Sequence, residues 1–102
     1  ICWTITAPTA PVAYTFAGPG FTGTVDDPTL YLYRGHTYRF DNTTGSAHPF
    51  LIRVSNGGAS YTSGVTGSST GVTYFTVPMD APSTLYYQCQ FHSAMGNTIN
   101  IV

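Results

Sequence analysis

The stretch TLYLYRGHTYRFDN, residues 29–42, contains two short runs in which apolar side chains recur at every second position. Leu30 and Leu32 share one face of the first run, and Tyr38 and Phe40 share one face of the second. This alternation is typical of a β-strand that buries one of its faces. Arg-Gly-His stands between the runs, and a glycine there favours a turn. The stretch therefore predicts two strands separated by a tight turn.

Six further segments have the same character and extend the pattern to both ends of the chain. They are short, rich in aromatic and β-branched residues, and separated by turn clusters such as AGPG, DDPT and SNGGAS. Gly, Pro, Ser and Thr interrupt every window that could form two helical turns. Seven or eight short strands in 102 residues predict an all-β fold: an antiparallel Greek-key β-sandwich in which residues 1–102 form a single domain. The six segments are CWTIT (2–6), AYTFAG (13–18), PFLIRV (49–54), TYFTV (73–77), TLYYQC (84–89) and NTINIV (97–102).

The alternation also predicts which side chains form the core. Tyr31 and Tyr33 fall on the face opposite the two leucines of their strand. The stretch 55–71, rich in Gly, Ser and Thr, has the weakest pattern, and we expect it to wrap one edge of the sandwich. The predicted core residues are Leu30, Leu32, Tyr38, Phe40, Phe50, Ile52, Val54, Phe75, Val77, Ile99 and Ile101.

Charged residues make up only 7% of the chain, with three Arg and four Asp. Three Arg cannot form the basic face that nucleic-acid binding requires, which excludes that class of partner. No apolar run reaches the roughly 18 residues of a membrane-spanning helix. The chain opens on Ile1 without a signal-peptide pattern, as expected if such a peptide has been removed or the chain is part of a larger protein. The Thr-, Tyr- and Gly-rich composition favours an extracellular, periplasmic or virion location.

Four side chains with soft or borderline donor atoms are candidates for a single metal site. Cys89, His92 and Met95 lie in YYQCQFHSAMG, residues 86–96, with the spacing Cys-x-x-His-x-x-Met. His48 stands in the turn before PFLIRV, which in an antiparallel sandwich can lie at the same end as the loop after Cys89. A thiolate, a thioether and two imidazoles suit copper better than magnesium or calcium. We therefore predict one copper ion in a roughly trigonal site, with Met95 as a long axial donor.

Two alternatives use the same cysteine. Cys89 and the two histidines could bind zinc, although Met is a poor zinc ligand and usually absent from such sites. A disulfide between Cys2 and Cys89 would consume the thiolate, and the other ligand types around Cys89 argue against it.

Catalysis has no support in the residue pattern, so we predict that the protein is not an enzyme. No Asp is expected at the end of a strand near the histidines, where it could complete a Ser-His-Asp catalytic triad. Asp26 and Asp27 precede Pro28 in what reads as a turn rather than as a catalytic pair. The glycine clusters stand between strands and do not precede a helix, so they do not form a phosphate-binding loop.

The segments YLYRGHTYRFDNTTGSAHPFLI and YYQCQFHSAMG together resemble the cupredoxins, the blue or type 1 copper proteins. The Cys-His-Met spacing is similar to the short, amicyanin-like ligand loop of that family. The resemblance covers roughly residues 30–102, apart from the stretch 55–71. It implies that His48, Cys89, His92 and Met95 are the copper ligands, and that Asn42 hydrogen-bonds across to stiffen the ligand loop near the cysteine.

The same resemblance implies one-electron transfer to and from a redox partner protein, with His92 as the electron port. Phe91, Ser93 and Ala94 would form a small apolar surface beside it. Phe91 stands where small electron carriers of the family often have Pro. His36 stands where the family often has an acidic residue, and we interpret it as a solvent-exposed turn residue.

A second resemblance points to a different role. The segments DPTLYLYRGHTYRF, HPFLI and APSTLYYQCQFHSAMGNTINI are similar to cupredoxin-like domains in virion and surface proteins of marine phages and bacteria. This resemblance implies a structural or interaction module that contacts neighbouring subunits of a larger assembly, with or without copper. The sequence leaves both roles open.

Overall fold

Two β-sheets form the fold in the computed structural model, which describes residues 1–8 and 12–102. Strands form where apolar and polar residues alternate, and glycine-containing turns separate them. A 3₁₀ turn, Gly45–Ala47, follows the fifth strand. The strands in chain order are β1 (Cys2–Thr6), β2 (Thr15–Ala17), β3 (Thr24–Asp26), β4 (Leu30–Leu32), β5 (Thr37–Asn42), β6 (Phe50–Arg53), β7 (Val65–Gly67), β8 (Val72–Thr76), β9 (Thr84–Cys89) and β10 (Gly96–Ile101).

The first sheet has the strand order β3-β2-β1-β5-β8-β7, and the second has the order β4-β10-β9-β6. Hairpins join β1 to β2, β2 to β3, β7 to β8 and β9 to β10. Every other connection carries the chain from one sheet to the other. The all-β sandwich predicted from the alternation is confirmed, and all eight predicted segments contain a strand.

Two details of the prediction need correction. The described residues contain ten strands rather than seven or eight, because β3 and β7 lie in stretches that read as turns. Neither of these strands has a buried residue, so no buried face imposes an alternation on their sequence. The sheets are also mixed rather than purely antiparallel, since β1 pairs with β5, and β4 with β10, in parallel. Parallel neighbours are joined by long crossovers, and the side-chain pattern carries no signal for the direction of such a partner.

The inner faces of the sheets form one apolar core. Aromatic rings dominate its centre, where Phe40 stacks on Phe50 with centroids 5.0 Å apart and Trp3 stacks on Tyr38 at 5.6 Å. All but one of the predicted core residues are buried. The exception is Val54, which is 46% exposed because β6 ends at Arg53.

The stretch 55–71 wraps one edge of the sandwich, as expected. Part of it forms β7, the edge strand of the first sheet. The rest covers the free edge of β6: the amide of Tyr61 donates to Ile52 O at 2.7 Å, and that of Phe50 donates to Ser69 O at 2.8 Å. The stretch 55–71 therefore forms hydrogen bonds with backbone groups that an open sheet edge would leave unpaired. Within the described residues, no helix has the length and apolar character needed to cross a membrane.

Candidate metal centre

The loop between β9 and β10 carries the Cys-His-Met motif. Cys89 is the last residue of β9, and Met95 directly precedes β10. The amide of Cys89 donates to Met95 O at 2.9 Å, and the amide of Met95 donates to His92 O at 3.2 Å. Gly96 closes the loop where its backbone passes so near the Tyr87 carbonyl that any side chain would collide. These contacts hold the loop in one compact turn.

Three of the four predicted ligands bring their donor atoms together. Cys89 Sγ lies 3.7 Å from His48 Nδ1 and 3.5 Å from His92 Nδ1. One donor atom from each residue lies within 4.8 Å of the other two, and the two imidazole centroids are 5.0 Å apart. Cys89 is buried, whereas both histidines are half-buried. The cluster therefore has its sulfur inside the protein and its imidazoles towards solvent.

Met95, the fourth predicted ligand, is fully buried in the core beside this cluster. Its backbone is tied to both Cys89 and His92 by the hydrogen bonds described above. Both cysteines are free: Cys2 is exposed and Cys89 is buried. The disulfide alternative is therefore absent from the structure.

His48 lies between the 3₁₀ turn and β6, and Asn42 at the end of β5 supports it. Asn42 Nδ2 donates to His48 O at 2.8 Å and to Ser69 O at 2.9 Å. Asn42 Oδ1 accepts from the backbone amide of Thr44 at 3.0 Å. We expected Asn42 to stiffen the loop near the cysteine, but its hydrogen bonds brace the His48 side of the site.

Gln88 braces the ligand loop, and sequence reasoning missed it. This side chain is only 2% exposed although it alternates with the core residues of β9. Its Nε2 donates to Ser93 O at 3.0 Å and also to Asn56 Oδ1, while its Oε1 accepts from the amide of Gly57 at 2.8 Å. From the sequence, a glutamine on the outward face of a strand is expected to be exposed to solvent. Gln88 is buried because residues 55–58 fold over it.

Tyr14 is a second residue that the sequence did not single out. Its hydroxyl lies 2.8 Å from His48 O and 2.9 Å from Pro49 O. Burial raises the pKa of this phenol, and the nearby Cys89 raises it further. The group therefore stays protonated and acts as a hydrogen-bond donor beside the cluster.

The environment of the cluster matches two smaller expectations. Phe91 is 62% exposed, and Ser93 and Ala94 are exposed around the half-buried His92. His36 is an exposed turn residue, with its ring 5.8 Å from that of Tyr33.

Comparisons with known proteins give structural matches only. No protein-family model and no curated protein matches the sequence. A mutant of amicyanin in its reduced Cu(I) form at pH 4 is 18% identical, with 100% of this chain and 81% of that chain covered and a TM-score of 0.57. Rusticyanin from Thiobacillus ferrooxidans is 25% identical, with 99% of this chain and 75% of that chain covered and a TM-score of 0.55. Together with the two sheets and their order, these matches show that the chain has the cupredoxin fold.

Proposed function

We propose that this chain binds one copper ion through His48, Cys89, His92 and Met95 and transfers single electrons. The observation that carries the proposal is the convergence of Cys89 Sγ on the Nδ1 atoms of two histidines, at 3.7 and 3.5 Å. A first-row metal ion with bonds of about 2.0 Å to nitrogen and about 2.3 Å to sulfur would separate such donors by about 3.5–3.7 Å at angles of about 110–120°. The two sulfur–nitrogen distances therefore support a single ion shared by Cys89 and the two histidines.

Copper is favoured over zinc by the chemistry of the fourth residue. Met95 offers a soft thioether from a fully buried position in the loop, where its backbone is hydrogen-bonded to Cys89 and His92. A thiolate with a thioether suits a copper ion, which exchanges one electron between its Cu(I) and Cu(II) states. Structural zinc sites instead use four Cys or His ligands, and the described residues place only three such groups together.

Electron transfer is favoured over catalysis because protein ligands would occupy every coordination position of the proposed metal. Four protein ligands leave no open position of the kind that catalytic metal sites keep for substrate. The half-buried His92, surrounded by exposed Phe91, Ser93 and Ala94, would face a redox partner protein. We propose accordingly that the chain is not an enzyme, that residues 1–102 act as one domain, and that it works in an extracellular or periplasmic location. The alternative of a virion building block gains no support from amicyanin or rusticyanin.

Titration with copper(II), followed by visible absorption, tests the proposal. An intense thiolate-to-copper charge-transfer band should appear at one equivalent and disappear in Cys89→Ser. Cys2→Ser is the matched control, because it removes the exposed cysteine and should leave the band unchanged. A folded, colourless protein that binds no copper would overturn the site.

Voltammetry of the copper-loaded protein then tests the role. A reversible one-electron wave supports electron transfer. A bound copper that cannot be reduced and reoxidised reversibly would leave a copper site without the proposed function.

A further inference from the structure

The backbone carbonyl of His48 is held by one side chain near it in the sequence and by one far from it. Asn42 Nδ2 donates to it at 2.8 Å, and the Tyr14 hydroxyl lies at the same distance. Thr44 Oγ1 is 3.1 Å away, but its single proton is drawn to the nearer Asn42 Oδ1 at 2.6 Å. The two lone pairs of the His48 carbonyl are thus served by one amide and one phenol.

Tyr14 is itself fixed on all sides. It is 0% exposed, and its ring meets that of Phe50 edge-on, with centroids 5.6 Å apart. Its amide donates to Asp27 Oδ1 at 3.0 Å, and its carbonyl accepts from the amide of Asp27 at 2.7 Å. A side chain held this firmly can transmit its position to whatever its hydroxyl binds.

The single proton of the Tyr14 hydroxyl is shared with the next carbonyl, that of Pro49, at 2.9 Å. The hydroxyl therefore spans the peptide unit that links His48 to β6, where Phe50 lies opposite Cys89 in the strand register. The described structure places no other tyrosine hydroxyl within hydrogen-bond distance of the His48 or Pro49 carbonyl.

We propose that Tyr14 is a positioning residue of the metal centre, which holds the His48 imidazole against Cys89 through the His48 and Pro49 carbonyls. The inference rests on the proposed copper site and adds a residue outside the ligand set. A ligand fixed before the metal binds loses little freedom on binding and keeps its place in both oxidation states. Without the hydroxyl, the His48 carbonyl would lose one of its two side-chain donors, and the Pro49 carbonyl would keep only the amide of Gln90, at 3.1 Å. The imidazole would then sample several orientations.

Tyr14→Phe tests this, and Tyr87→Phe is the matched control. Tyr87 is equally buried, stacks on the same Phe50 ring at 5.7 Å, and donates one buried hydrogen bond, to Pro28 O at 2.6 Å. Each variant removes one buried hydroxyl and keeps the ring. Only Tyr14→Phe removes a donor from the His48 segment.

The first readout uses the metal-free protein, so it does not depend on copper. In NMR spectra, the His48 imidazole signals should be sharp in the unmodified protein and in Tyr87→Phe, and should broaden or split in Tyr14→Phe. If the His48 signals are the same in all three proteins, Tyr14 has no positioning role, whatever metal the site binds.

The second readout is copper affinity together with the charge-transfer band. Tyr14→Phe should bind copper about 10- to 100-fold more weakly and shift or broaden the band, whereas Tyr87→Phe should retain both properties. Equal losses in the two variants would reduce Tyr14 to an ordinary core residue and overturn the inference. If the unmodified protein binds no copper, the proposed function fails while the NMR result still decides the positioning role.

A measurement on the unmodified protein covers the case in which Tyr14→Phe does not fold. The Tyr14 hydroxyl proton should exchange slowly enough with water to be seen in the proton NMR spectrum, with a nuclear Overhauser contact to the His48–Pro49 segment. A hydroxyl proton that exchanges as fast as those of exposed tyrosines would contradict the inference.

Discussion

The chain has two cysteines and two methionines, and in each pair one residue is buried and the other is exposed. Cys89 is 1% exposed and lies against two imidazoles, whereas Cys2 is exposed at the start of β1. Met95 is fully buried beside the same cluster, whereas Met79 is 75% exposed in the turn before β9. Each buried residue thus has an exposed counterpart of the same type, which serves as its control.

Met95→Leu should retain copper and raise its reduction potential. Leucine fills a similar volume, so the loss in stability should stay below about 1.5 kcal/mol. Loss of the thioether removes a weak donor that stabilises Cu(II) more than Cu(I), and the axial ligand is known to tune this potential. Voltammetry measures the change, with Met79→Leu as the control. An unchanged potential in Met95→Leu would remove Met95 from the proposed ligand set.

At the scale of elements, the β9–β10 hairpin and the connection from β5 to β6 supply the cluster. Hydrogen bonds within the loop and the Gln88 side chain hold the hairpin side. Asn42 and Tyr14 hold the other side. Both sides of the site are therefore braced by buried polar side chains rather than by the strands alone.

Gly96→Ala should destabilise the hairpin. Gly96 has a φ of +159°, and an added Cβ would collide with the Tyr87 carbonyl of the neighbouring strand. We expect a loss of more than about 1 kcal/mol in the free energy of unfolding, measured by urea denaturation. Gly71→Ala is the control, because its nearest neighbour would be Ser68 Cβ at 4.0 Å and its φ is not positive. Equal stabilities of the two variants would contradict this account of the loop.

At the scale of the whole molecule, Asp27 links the two sheets. Its carboxylate accepts from the Tyr14 amide just before β2, and its carbonyl accepts from Asn97 Nδ2 in β10 at 2.8 Å. Burial raises the pKa of this carboxyl above its ordinary 3.8, although the Tyr14 and Gly96 amides oppose the shift. Asp27 also has a φ of +42°, a conformation that Asn tolerates equally well.

Asp27→Asn should therefore gain stability relative to the unmodified protein as the pH rises. In the window between the unfolded and the raised folded pKa, the folded protein holds the proton more tightly than the unfolded chain. The carboxyl consequently costs the unmodified protein stability as the pH rises through that window, and an amide does not. Urea unfolding of both proteins from acidic to neutral pH measures the difference, in which titratable groups that do not interact with Asp27 cancel. A difference that does not vary with pH would contradict the raised pKa.

The local pattern was sufficient for the sandwich, most of its core and the position of the Cys-His-Met loop. Period-two alternation located a strand in all eight predicted segments, because burial of one face imposes that pattern on the sequence itself. Cys89, His92 and Met95 were identifiable for a similar reason. Their spacing lies within a single loop, so no long-range contact is needed to bring them near one another.

Long-range pairing was decided only by the tertiary structure. The three-residue strands β3 and β7, the parallel pairs β1–β5 and β4–β10, and the approach of His48 to Cys89 depend on partners far away along the chain. The bracing roles of Gln88 and Tyr14 are of the same kind. A buried polar side chain is explained by the groups that satisfy it, and those groups are known only once the chain has folded.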